Sequence, residues 1–144
     1  MWNNIDLVKP TTRGFIYLIV NKKTKKLYIG KKKTISETRI SVAGSTRKKK
    51  VVKPSNWREY YGSCKELTED ITKIGKHNFD RYILGAYDEL HTVNYGEAEL
   101  QFILQVLDEG GKHEFYNKNI KITSMRSPVD RNYIDRVKDI IKGL

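Results

Sequence analysis

The sequence predicts an α+β domain, and three observations predict it. Two apolar runs rich in β-branched and aromatic residues flank a polar turn between Gly14 and Gly30. A third run of the same kind spans Phe79 to Tyr87. Helical periodicity with start and stop signals recurs between and after them. A chain of 144 residues is long enough for one domain with its own core.

The hairpin pairs Phe15–Val20 with Leu27–Gly30 around Asn21-Lys-Lys-Thr-Lys-Lys26. On such a hairpin Tyr17 and Tyr28 are expected to lie across from each other on one face. Thr34 and Glu37 have the spacing of a capping box, which predicts a short helix carrying Arg39. Residues 44 to 56, a Gly/Ser/Lys/Pro stretch, show no periodicity. They are expected to form a mobile basic loop, because they bury too little apolar area to offset chain entropy. Ser63 and Glu66 form a second capping box, predicting a helix from Cys64 to Ile74 with Leu67, Ile71 and Ile74 inward and Gly75 as its stop. Trp57, Tyr60 and Tyr61 either pack the entry to this helix or stack on bases. Asn94 and Glu97 cap a helix to about Leu107, with Leu100, Ile103, Leu104 and Leu107 facing the core. After the Gly110-Gly111 turn, Ser127-Pro128-x-Asp130 starts a tail helix. Its stripe of Ile134, Val137, Ile140, Ile141 and Leu144 needs a surface to cover, either this core or a second copy in a homodimer. The domain is placed at 1–126 and the tail helix at 127–144.

Composition narrows the function. The net charge is +11, and 13 Lys or Arg against one acid, Glu37, fall between residues 22 and 53, leaving the rest at −1. Charge confined to one segment points to a polyanion, with nucleic acid first. Lys31, Lys32, Lys33, Arg47, Lys48, Lys49, Lys50, Lys53 and Arg58, with Trp57, are the candidate nucleic-acid-binding residues. The lysine run suits phosphate contact over base reading, since an ammonium lacks planar donor geometry. One cysteine, Cys64, excludes an internal disulfide and a thiolate metal site. The three histidines lack a metal-binding spacing. No 18-residue apolar run exists, and residues 1–12 show no apolar stretch after a basic start, so a non-membrane, intracellular protein is expected.

Several separated motifs carry a family resemblance. Phe15-Ile16-Tyr17, preceded by Gly14, and Tyr28-Ile29-Gly30 resemble the two tripeptides of the GIY-YIG nuclease family. Trp57-x-x-Tyr60-Tyr61-Gly62-Ser63, Gly75-Lys76-x-x-Phe79 and Asn94-Tyr95-x-Glu97-Ala98 are similar to small, Seg-like members from T-even-type bacteriophages. The likeness runs from about Gly14 to Arg126. It implies a small, mostly antiparallel three-stranded sheet flanked by helices, and an endonuclease that hydrolyses phosphodiester bonds in double-stranded DNA. It further implies a homing-type or phage-encoded enzyme in the cytoplasm of an infected bacterial host. The residues it implies are Tyr17 as proton acceptor, Tyr28 on the scissile phosphate, and Arg39 on the phosphoryl oxygens, with Arg47 or Arg58 as stand-ins. Glu97, with Glu99 as runner-up, would hold one Mg²⁺ or Mn²⁺, and Asn117, or Asn119, would be a buried orienting residue. A phenol accepting a proton near neutrality needs its pKa, ordinarily about 10, lowered by cations such as those at 22–33. The rival is a nucleic-acid-binding module that keeps the fold without catalysis.

Overall fold

The computed structural model describes residues 1–122 and 130–144. The expected Ser127-Pro128 helix start lies outside the described residues. Three strands, β1 (Gly14–Asn21), β2 (Leu27–Lys33) and β5 (Phe79–Tyr87), form one antiparallel sheet in the order β2-β1-β5. The two intervening strands, β3 (Ile35–Ile40) and β4 (Lys49–Pro54), pair only with each other as an antiparallel ribbon. The helices are α1 (Lys65–Ile74), α2 (Leu90–Ile103) and α3 (Tyr133–Lys142).

Every residue of β1 is buried, which explains an apolar run without alternation. Its side chains divide between two cores. Ile16, Leu18 and Val20 pack beneath α2 and α3 with Ile29, Leu84, Val93, Leu100 and Val137. Phe15, Tyr17 and Ile19 pack on the other face with Trp2, Trp57, Leu67, Ile71 and Phe79. Trp2 closes this second core, its indole donating to the Trp57 carbonyl at 2.9 Å. Buried Arg81 stacks on Trp2 and Tyr61 and donates to the Arg58 and Tyr60 carbonyls, which fixes the segment leading into α1. Gly96 lets α2 sit directly on the sheet, because a Cβ there would collide with Ile16 and Tyr133. Tyr133 and Val137 seat α3 on this same core.

Four expectations about local structure change. The Thr34–Glu37 helix is instead strand β3. Thr34 spends its hydroxyl on the Thr12 carbonyl at 2.6 Å, Glu37 pairs with Arg13 and Lys50, and β-branched residues at 35, 38 and 40 favour extension. Part of the loop expected at 44–56 is strand β4, because Lys49–Pro54 find ladder partners on β3. Helix α1 stands as expected, but Cys64 occupies its N-cap without a side-chain bond, and Glu66 turns to Lys26. Helix α2 starts four residues before Asn94, because Leu90 and Val93 pack at the start of β1 around Gly14. Burying that turn outweighs the cap at Asn94, and Ile103 and Leu107 end exposed.

Candidate active site

The edge of β2 is where both faces of the sheet become accessible to one recess. Tyr17 is cross-strand partner to Gly30, with Tyr28 two residues back on β2, so the two phenols are diagonal neighbours. Their ring centroids are 6.1 Å apart. Gly30 has to be a glycine, because a Cβ there would fall on the Tyr17 ring and hydroxyl. A register shift between β1 and β5 lies beside Tyr17, the kind of irregularity that re-aims a side chain.

Beyond β2, residues Glu114 to Asn117 run along its outer edge. The Leu27 amide donates to the Glu114 carbonyl at 2.9 Å, and the Leu27 carbonyl accepts from the Tyr116 amide at 2.7 Å. Asn117 then continues the ladder with its side chain. Its Oδ1 accepts from the Ile29 amide at 3.0 Å and its Nδ2 donates to the Ile29 carbonyl at 2.8 Å. A carboxamide has the donor and acceptor of a peptide unit, so it completes the pairing of the residue between Tyr28 and Gly30. Asn119 is exposed. Replacing Asn117 with Ala leaves both backbone groups of Ile29 short of that partner. The expected cost is roughly 2–4 kcal/mol, read as a fall in Tm, with loss of turnover alongside.

From the other side, α2 brings Glu97, Asn94 and Gln101 to the same edge. The resulting recess, about 440 Å³, is lined by Tyr17, Tyr28, Lys31, Glu97, Gln101 and Asn117, with Lys118 and Lys121 at its rim. The Glu97 side chain is 12% exposed and lies 3.6 Å from Lys31 Nζ. Burial pushes its carboxyl above the usual value, while Lys31 and Lys121 draw it back. Glu97 does not cap the helix, since Asn94 is internal to α2 and accepts from Lys31 at 2.7 Å. Glu99 points away, held by Arg131 and by the Tyr133 hydroxyl at 2.7 Å.

Tyr17 departs from its expected electrostatics. It is 1% exposed, and burial, followed by Tyr28, Tyr60 and Glu97, raises its pKa well above 10. The 22–33 lysines do not lower it, because Lys31 faces Glu97 and Lys32 lies 4.4 Å from the Tyr60 ring centre. Tyr17 is therefore a neutral phenol. Burial likewise raises Tyr28, against a hydrogen bond from Ser63 that lowers it.

The expected arginine is not in the recess. Arg39 is exposed on β3 opposite Lys50, Arg47 lies exposed between β3 and β4, and Arg58 stacks 4.4 Å from the Trp57 ring centre. The strand that replaced the expected helix carries Arg39 away from Glu97. Lys31 is the cation that the fold places against the acid. Trp57 is 5% exposed and edge-on to Phe15, so it packs the core and offers no face to a base.

Gln101 went unnoticed in the sequence, although it follows Glu97 by one helical turn and so shares its face of α2. It is buried, and its Nε2 donates to the Ile29 carbonyl at 3.2 Å. Its Oε1 is buried without a hydrogen-bond partner. Among the described residues no group of three or more His, Cys, Asp or Glu could hold a metal. The donors present, one carboxylate and one orphaned amide oxygen a turn apart, fit a hard divalent cation that keeps most of its own waters.

Residues 4–120 match the family model described as "Putative endonuclease segE, GIY-YIG domain". The chain belongs to the GIY-YIG nuclease family. No curated protein and no solved structure matches it. The α+β architecture with its three-stranded antiparallel sheet is that of a GIY-YIG domain. In this GIY-YIG chain the glycine of the first tripeptide is Phe15, wholly buried against Trp2 and Trp57. Gly14, just before it, takes the close approach of α2. Among the described residues no helix is long and apolar enough to cross a membrane.

Proposed function

We propose that this GIY-YIG protein is a metal-dependent endonuclease that hydrolyses phosphodiester bonds in double-stranded DNA with Mg²⁺ or Mn²⁺. The phage-like motifs support a homing-type or phage-encoded role inside an infected bacterial cell. The observation that carries the reading is the convergence of Tyr17, Tyr28, Lys31 and Glu97 on one recess. In-line hydrolysis needs an activated water, countercharge for the phosphoryl oxygens, and help for the departing 3′ oxygen. Glu97, with Gln101 one turn on, would hold the cation, which when bound supplies Lewis-acid stabilisation of the phosphate and leaving group. Tyr28 donates its phenolic hydrogen to a phosphoryl oxygen. Lys31 exchanges Glu97 for the phosphate and supplies the positive charge assigned to Arg39 from the sequence. A neutral Tyr17 takes the proton of the attacking water only as it releases its own, and half-buried Tyr60, ring-to-ring with it at 6.0 Å, offers the way out to solvent.

A supercoiled plasmid decides the matter. The protein is expected to convert it to nicked or linear form with 5 to 10 mM Mg²⁺, concentrations on the order of those at which weak single-carboxylate sites fill, and to leave it intact in chelator. The displacement of Arg39 favours a second reading, a DNA-binding module without catalysis. DNA binding with no Mg²⁺-dependent nicking would establish that reading and end the first.

A further inference from the structure

The β3–β4 ribbon has no place in the chemistry above and little in the core. Ten of its twelve paired residues are exposed, and only Ile35 and Val51 are half-buried. Two strands alone are marginal in water. The ribbon and its connecting turn nevertheless carry Arg39, Arg47, Lys48, Lys49, Lys50 and Lys53 against one acid, Glu37. Arg39 and Lys50 are direct cross-strand partners, and the single carboxylate on their face, Glu37, is shared between Lys50 at 3.3 Å and Arg13 at 3.1 Å, so positive charge remains in excess there. The alternation of strand side chains puts Arg39 and Lys50 on one face and Lys49 and Lys53 on the other. Cations thus flank the ribbon on both faces, as an element needs when phosphates lie on either side of it. Its base is fixed where Thr34 bonds Arg13 and Ser55 bonds Thr34, immediately after Lys31–Lys33.

We propose that this ribbon is a DNA-groove arm: it lies in the major groove of the duplex whose backbone enters the Tyr17–Glu97 recess, with the flanking cations on the phosphates of both strands. The inference rests on the nuclease reading for the position of the duplex. The dimensions agree. Paired strands stand about 4.8 Å apart, so with side chains the ribbon fits a groove about 12 Å wide and not one of about 6 Å. Six residues extend about 20 Å, somewhat over half of a DNA turn of about 34 Å. The arm and the recess are consecutive along the chain, so one duplex can meet both. The arm also implies B-form DNA over duplex RNA, whose major groove is deep and narrow.

The test compares the full chain with a variant carrying Arg39→Gln, Lys49→Gln, Lys50→Gln and Lys53→Gln, using fluorescence anisotropy on a 30-base-pair DNA duplex in chelator across a range of NaCl concentrations. All four positions are exposed and outside both cores, so the circular dichroism spectrum should not change and Tm should move by only a few degrees. The variant is expected to bind at least about 10-fold more weakly at 100 mM NaCl, with the log–log salt slope shallower by about 2–4. Guanine N7 methylation, which marks the major groove, should interfere with binding by the parent chain, and a duplex RNA of the same length should compete poorly. An unchanged slope, interference confined to adenine N3 in the minor groove, or equal competition by duplex RNA would each overturn the proposal. Cleavage is read separately: a parent chain that nicks plasmid while the variant binds with undiminished salt slope sinks the arm alone. A chain that binds through the arm but never nicks sinks the nuclease reading alone.

Discussion

Glu97→Gln is expected to lower Mg²⁺-dependent nicking by about 10³-fold or more, the scale of losing the anion that holds a catalytic cation. Affinity for duplex DNA measured in chelator should stay within about threefold, because the candidate phosphate contacts lie on other residues. The same substitution should make the protein more stable at neutral pH. Burial raises the Glu97 carboxyl, so the folded state holds its proton to higher pH than the unfolded chain does. A group raised in this way favours folding in its protonated form; that advantage is present below the ordinary carboxylate value and is lost as pH rises through the folded one. At pH 7 the native protein therefore carries a charged carboxylate at a cost that the amide avoids. A gain of roughly 1 kcal/mol, or about 3–6 °C in Tm, is expected at pH 7, shrinking below pH 4.5. Glu99→Gln should behave in the opposite way, losing stability because Arg131 and Tyr133 lose an anionic partner, and keeping turnover. Normal cutting by Glu97→Gln together with failure by Glu99→Gln would exchange the two assignments.

The contrast between these acids shows how much of the site is legible in the sequence. The strands of the main sheet were visible because both faces of β1 are buried, and a run such as Phe-Ile-Tyr-Leu-Ile-Val has few other uses. Helix α1 was visible because Leu67, Ile71 and Ile74 repeat at helical spacing with a glycine after them. What stayed hidden was decided by partners far away in sequence. Thr34 and Glu37 have a capping spacing, yet their side chains are taken by Thr12, Arg13 and Lys50. Asn94 also looks like a cap, but the packing of Leu90 and Val93 around Gly14 carries the helix past it. Composition marked residues 44–56 as a loop because they bury little apolar area of their own, and the ladder that forms β4 is supplied by β3, outside that stretch. The Arg39 assignment failed through the same event, since turning that segment from helix to strand moves its side chains from the recess to the ribbon. Gln101 was hidden for a different reason, because an unpartnered amide oxygen is a property of three-dimensional surroundings and leaves no mark on spacing.

Tyr17→Phe is expected to lower turnover by about 10²–10³-fold, within the range for a positioned proton-transfer group, and to leave Tm within about 2 °C of the parent, well under the cost of a core cavity. The ring fills the second core between Trp2, Phe15, Tyr28 and Tyr60, and phenylalanine keeps that packing. Only the hydroxyl over Gly30 is lost. Gly30→Ala separates chemistry from packing in the other direction, because the new methyl enters the space of the same hydroxyl while the phenol remains. Tyr17 cannot swing clear, being enclosed by four aromatic neighbours and the sheet, so the strain must spread into β1 and β2. A loss of roughly 1–3 kcal/mol is expected, as for other overpacked sites, with turnover falling because the phenol no longer reaches the recess beside Glu97. Full activity in Tyr17→Phe would remove the hydroxyl from the mechanism and leave the tyrosine as a core residue. Should Gly30→Ala stay stable but inactive while Tyr17→Phe stays active, the glycine would matter for approach of the phosphate to the β2 backbone, and Tyr28 would be left as the phenol at the site.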